Sequence, residues 1–191
     1  MAGLRADPWF RAVLILLLSY HMKAQNSNTP GPLLYDFSKM KNPSGWIIVN
    51  DGVMGGLSKG SIRRDDKGNG VFSGIVSLEN NGGFSLARLS LEPVSARGCT
   101  AIVLEIKGDG KSYQLRIKSQ RKQMHAYTQR FKTNGSWQRI VVPFEDLSPT
   151  FRGRKLDLPG YPGERIEEIG LLAGNKKNEK FQLLIRSIYL E

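Results

Sequence analysis

The chain has 191 residues, 40% hydrophobic and 24% charged, enough apolar material for one ordinary domain with a buried core, which excludes a disordered chain. Its formal net charge of +11 favours anionic partners, but Lys and Arg are scattered. With no helix-turn-helix, zinc-finger or basic-zipper pattern, nucleic acid is not expected as a partner. The single cysteine, Cys99, excludes an intramolecular disulfide and reads as a small buried hydrophobe.

Residues 1–24 read as a secretory signal peptide. Arg5 and Arg11 flank the start of an apolar run, Ala12–Leu18, too short to span a bilayer, and Ala24 offers a small residue at a cleavage point. A mitochondrial transit peptide is the rival, but that calls for an amphipathic, Arg- and Ser-rich segment, whereas this one is a block of leucine. The expected location is therefore exported, periplasmic or secreted. Residues 25–32, broken by Pro30-Gly31-Pro32, read as a linker, and 33–191 as one domain.

Leu33–Phe37 reads as a first short strand, and Trp46–Val49 as a second. The second stops at Asn50-Asp51-Gly52, a turn signal, and Gly55-Gly56 again permits unusual backbone, with Met54 between the two glycine sites. This loop, running to Ser58, looks shaped; Ser77–Phe84, containing Asn80-Asn81-Gly82-Gly83, looks the same. Ser61–Arg64 and Val71–Leu78 flank a plain hairpin turn at Asp65–Gly70, and Gly74 inside the second strand marks a bulge or a close backbone approach. Phe84–Leu91 alternates so that Phe84, Leu86 and Arg88 share a face. Thr100–Lys107 points Ile102, Leu104 and Ile106 inward. After the Gly108–Gly110 turn, Tyr113, Leu115 and Ile117 take one face, and Gln114, Arg116 and Lys118 the other. Asn134-Gly135 predicts a hairpin pairing His125–Lys132 with Ser136–Val142. Phe144–Pro162, with four prolines at its bounds and within, reads as irregular. Arg165–Ala173 and Phe181–Leu190 are the last two strands. Many short strands, Gly-rich turns and no sustained helical period predict an all-β sandwich or barrel.

The two shaped loops, together with Trp137 ahead of Val142-Pro143-Phe144, the stretch Phe151-Arg152-Gly153-Arg154 and Ile169-Gly170-Leu171, resemble the family of the complex I intermediate-associated protein, the thirty-kilodalton assembly factor of NADH:ubiquinone oxidoreductase. The resemblance runs from about Leu34 to the C-terminus. It implies a galactose-binding-like jelly-roll β-sandwich and a non-catalytic, chaperone-like role in assembling a respiratory membrane complex. It carries over no catalytic residue.

The residues themselves argue against catalysis. Beyond the leader stand one histidine, His125, and one cysteine, too few for a zinc site, and no serine sits in a Gly-x-Ser-x-Gly elbow. The carboxylate pairs Asp65-Asp66, Glu145-Asp146 and Glu167-Glu168 are sequence neighbours, which a strand points to opposite faces. Gly110-Lys111-Ser112 echoes a phosphate loop but lacks its upstream glycine. Asp36, Asn50 and Asp51 offer oxygens for calcium without forming a dense acidic loop, so no metal or other cofactor is expected. Asp51 and Glu79 are read as satisfying loop amides.

Binding remains. The candidate partner- or ligand-binding residues are Asn50, Asp51, Met54 and Ser58 in the first loop, Asn80 and Asn81 in the second, Arg88 and Arg116 on strands, and Arg152 on a basic loop. Arg88 and Arg116, with Tyr127 or Phe131 nearby, would clamp a carboxylate or stack a ring. Asn80 and Asn81 would bond sugar hydroxyls and Trp46 would stack on a pyranose; the opposing reading makes Trp46 core and the asparagines turn residues. The expected partner is a protein, respiratory-complex subunits in the first instance. A glycan or small ligand is the alternative, with membrane contact only through partners.

Overall fold

The computed structural model describes residues 31–39, 43 and 45–191; the proposed leader and nearly all of the linker lie outside them. The described chain forms thirteen strands: β1 (Leu33–Asp36), β2 (Trp46–Asn50), β3 (Lys59–Arg64), β4 (Gly70–Val76), β5 (Ser85–Ser95), β6 (Ala101–Lys107), β7 (Ser112–Lys118), β8 (Ala126–Lys132), β9 (Trp137–Pro143), β10 (Ser148–Phe151), β11 (Arg154–Lys155), β12 (Arg165–Ala173) and β13 (Glu179–Leu190). One sheet runs β3-β4-β13-β6-β9, with β1 also paired to β13. The other runs β11-β10-β8-β7-β12-β5-β2. Every pairing is antiparallel, and most connections cross from one sheet to the other. The result is a jelly-roll β-sandwich, the fold expected from the sequence.

The alternation explains why these segments pair as they do. Leu115 and Ile117 of β7 and Ile169 and Leu171 of β12 face Ile102, Leu104 and Ile106 of β6 across the sandwich, all at 0–1% exposure. Burial of each such side chain contributes roughly 1.5–3 kcal/mol. Trp46 belongs to this core at 8% exposure, stacked on Phe37 and edge-on to Tyr35. Asp109 ties the sheets at one rim, accepting hydrogen bonds from Tyr113 Oη of one sheet and the Gln182 N–H of the other at 2.9 Å each.

Gly74 makes the close approach its position predicts. A Cβ there would lie 2.0 Å from the Lys59 carbonyl oxygen, and its register partner is Gly60. A Cβ on Gly60 would in turn strike Ser85 Oγ. Gly74 thus lets β3 and β4 lie close within their sheet, and Gly60 lets that corner press against Ser85 of β5 and Asn50 of β2 in the other.

Two expectations are corrected. Asn134-Gly135 does not make a hairpin: β8 pairs with β7 and β10, while β9 pairs with β6 in the opposite sheet. Buried Thr133 ends β8 by anchoring to the β6–β7 turn, its Oγ1 donating to the Lys111 carbonyl at 2.9 Å and accepting from Gly110 N–H at 3.1 Å. The Asn-Gly turn then carries the chain across the sandwich. Within Phe144–Pro162, β10 and β11 form a hairpin on the edge of the larger sheet, closed by Arg152 and Gly153 with φ of 48° and 78°. Those angles fit a type I′ turn.

Candidate functional site

The two shaped loops meet at one end of the sandwich, and Asp51 joins them. It opens a 3-10 turn, Asp51–Met54, closed by Gly55 at φ 84°. Its carboxylate, 4% exposed, accepts from Ser58 N–H (3.1 Å), Ser58 Oγ (2.5 Å), Gly83 N–H (2.6 Å) and Phe84 N–H (3.2 Å). Burial alone would push the carboxyl up, but the hydrogen bonds from Ser58, Gly83 and Phe84 together outweigh it and hold Asp51 below its ordinary value. Ser58 Oγ also accepts from Ser77 N–H at 3.0 Å. Asn80, at φ 53°, donates from Nδ2 to the Gly55 carbonyl at 3.1 Å, and Asn81 beside it stands exposed at φ 59°. Asn50 turns its Oδ1 inward toward Gly60. The backbone of Met54 belongs to the 3-10 turn; its side chain lies outside the description. The sequence therefore places Asp51 correctly as a loop brace. Glu79 is different: it is exposed, and among the described residues no loop amide donates to its carboxylate.

Arg88 and Arg116 lie on the outer face of the larger sheet. Gly170 of β12 is the register partner of both, Arg88 on β5 and Arg116 on β7. The guanidinium-bearing residues thus flank a strand centre with no side chain, about 10 Å apart across two strand spacings. Leu86 reaches over Gly170, where a Cβ would meet its Cδ1 at 2.9 Å. Glu168, one outward position along β12, sits 3.8 Å from Arg88 Nε and 3.6 Å from Lys118 Nζ. Arg116 donates to Gln114 Oε1 at 3.0 Å and forms no ion pair among the described residues. Burial lowers the Arg116 pKa from its ordinary value, and the charge of Glu168 opposes part of that shift. Ile47, 53% exposed, pairs in register with Arg88 and completes an apolar border. Tyr127 and Phe131 are not near this face: they alternate inward on β8 and are buried. Arg152 is remote, at the β10–β11 tip, with its guanidinium carbon 5.4 Å from the centre of the Phe151 ring.

The structure thus divides the sequence candidates into a braced loop cluster (Asn50, Asp51, Ser58, Asn80, Asn81), a cationic face (Arg88, Arg116) and a distant hairpin tip (Arg152). Glu168, Lys118, Gly170 and Ile47 complete the face and were missed. Alternation put Lys118 on the side of Arg116, but only cross-strand register brings Glu168 to either. The clefts lie elsewhere, at the far end of the sheet. One, of about 450 Å³, is lined by Gln120, Arg121, Lys122, Arg165 and Glu167 and holds none of the candidates. No cluster able to hold a metal ion occurs among the described residues.

Comparison with known proteins gives a family and a fold. The family model for complex I intermediate-associated protein 30 matches residues 35–185. No curated protein matches the chain significantly. Among solved structures, the family 11 carbohydrate-binding module from Clostridium thermocellum, in complex with a beta-1,3-1,4-mixed-linked tetrasaccharide, superposes with a TM-score of 0.58 at 20% identity, over 83% of this chain and 94% of that one. An exo-beta-agarase superposes with a TM-score of 0.56 at 14% identity, over 84% of this chain and 25% of the agarase. At such identities the likeness is one of fold.

Proposed function

Because the chain belongs to the complex I intermediate-associated protein 30 family, we propose that it is a non-catalytic binding domain that holds a protein partner during assembly of a respiratory complex. The contact surface in this reading is the outer face of the larger sheet. The observation that carries it is the row Ile47–Arg88–Gly170–Arg116, which sets aliphatic and guanidinium groups side by side on one face. Arginine with apolar neighbours is what interface centres favour, and no fold-up of loops is required before contact.

The glycan reading draws on the fold shared with carbohydrate-binding modules, which is fold analogy alone. Two residues that it needed are committed elsewhere. Trp46 is in the core, and Asn80 is spent on Gly55. The protein-partner reading is therefore preferred.

Cross-linked enrichment of the tagged protein from its own cells, read by mass spectrometry, tests the proposal. Respiratory-complex subunits are the expected catch. Arg88→Ala and Arg116→Ala should each weaken that capture about tenfold or more, with the melting temperature nearly unchanged. Saturable glycan binding lost in the same two variants would replace the protein partner with a carbohydrate. We also read residues 1–24 as an export leader and 33–191 as the mature domain. An N-terminus near Gln25 in the recovered protein is the expected result, and a transit-type cut further along would move the protein to the mitochondrion.

A further inference from the structure

The opposite side of the sandwich presents a larger cationic surface that the partner reading does not use. The outward positions of the smaller sheet follow from its registers. Lys59, Ile75 and Lys180 form one row across β3, β4 and β13. Arg63, Val71, Leu184, Lys107 and Trp137 form another across β3, β4, β13, β6 and β9. Arg139 on β9 lies opposite Glu105 on β6. Arg186 stands where the β13 register shifts between Ile185 and Ser187.

All six of these Lys and Arg residues are exposed; at the outward strand positions of this sheet the carboxylates among the described residues are Glu105 and, in the same row on β1, Asp36, and Glu191 after β13 pairs with Arg139. Apolar groups reach solvent between them: Ile75 is 50% exposed, Val141 42% and Trp137 38%. The Arg186 guanidinium lies 4.3 Å from the centre of the Trp137 ring and 3.7 Å from Glu105, which orients the indole on the surface. Val71 and Val103 point outward yet are 2% and 0% exposed, so other groups cover the strands there.

The spread of charge identifies the partner. Five strands make a face about 20 Å wide, with cations at its borders and in its middle. A plane of anionic head groups meets all of them at once, while its hydrocarbon boundary accepts Trp137, Val141 and Ile75. A nucleic-acid duplex presents phosphates along a curved ridge and offers nothing to exposed aliphatic groups. We propose that this face docks the protein directly on an anionic lipid surface, leaving the Arg88–Arg116 face free for a protein partner. The two readings stand on opposite sheets and fail separately.

Tryptophan quenching in the full chain tests the proposal, with the indole of the apolar leader removed as a reporter. A Trp9→Phe chain keeps Trp46, which is buried, and Trp137 as its indoles. Mixed vesicles of phosphatidylcholine and brominated phosphatidylglycerol are expected to quench it, and brominated phosphatidylcholine alone is not; added salt should release the quenching. Further replacement of Trp137 with Phe should abolish the quenching. Reversing Lys59, Lys107 and Lys180 to Glu should weaken vesicle binding on the order of a hundredfold at an unchanged melting temperature. Arg88→Ala and Arg116→Ala should leave it intact. The proposal is overturned by equal quenching on zwitterionic vesicles, by quenching that survives loss of Trp137 or the charge reversal, or by no quenching at all. Tighter binding of duplex DNA than of the anionic vesicles, with the same dependence on the three lysines, would assign the face to nucleic acid and overturn it too.

Discussion

Asp51→Asn should destabilise the protein by about 3–5 kcal/mol, the largest effect expected of any polar substitution outside the hydrophobic core. Its carboxylate accepts four hydrogen bonds at 4% exposure, three of them on Oδ2 from Ser58 Oγ, Gly83 N–H and Phe84 N–H, and one on Oδ1 from Ser58 N–H. An asparagine in either orientation turns an NH₂ group toward a donor. The site has no room to relax, since a Cβ on Gly56 or Gly82 would fall within 2.4 Å or 2.7 Å of a carboxylate oxygen. Urea denaturation measures the loss, and a change below about 1 kcal/mol would mean that the loops hold without the carboxylate.

Acid gives an independent check. Because the folded Asp51 titrates below its unfolded value, its contribution is complete above the ordinary aspartate range and is lost as pH falls through the lower folded value. The stability gap between wild type and Asp51→Asn should therefore narrow once the pH drops below about 4. A gap that stays constant on acidification would mean that the charge plays no part.

The second large effect is steric. Gly74→Ala should cost about 2–3 kcal/mol or more, because the new methyl group would stand 2.0 Å from a backbone oxygen of β3 and 2.8 Å from the Gly60 Cα. The obstruction is the β3 backbone, which cannot swing aside as a flexible side chain would, so β3 and β4 must part. Gly52→Ala is the control. A Cβ there meets nothing within 4 Å, and the change should stay within about 0.5 kcal/mol. Thermal melts of the two variants side by side separate a lost close approach from a general intolerance of alanine. Equal melting temperatures would show that the strands yield without cost.

Local signals in the chain were enough for several of these features. The period-two pattern of Tyr113, Leu115 and Ile117 against Gln114, Arg116 and Lys118 assigns each residue to its face, since side chains on a strand must alternate. A glycine in a strand marks close backbone, and Gly74 does so. A lone carboxylate amid Asn and Gly is the signal of a loop brace, and Asp51 is one, whereas Glu79 in the same setting is exposed and is not. The order of motifs from Trp46 to Gly170 was sufficient to name the family and, through it, the sandwich.

What lies between segments far apart in sequence was settled only by tertiary structure. Asn134-Gly135 has the same turn chemistry whether the next strand folds back or crosses over, and the choice falls to buried Thr133, held by the β6–β7 turn. Trp46 has the same surroundings in sequence whether it meets a ligand or the core; Tyr35 and Phe37, brought beside it by the first turn, make it core. The two cationic faces follow the same rule. Alternation sends Arg88, Arg116, Lys107 and Lys180 outward, but it does not say which sheet each strand joins or which residues stand beside them. Cross-strand register decides that, by placing Gly170 between Arg88 and Arg116 and Glu168 between Ser90 and Lys118 on one sheet, and Lys107 next to Trp137 on the other.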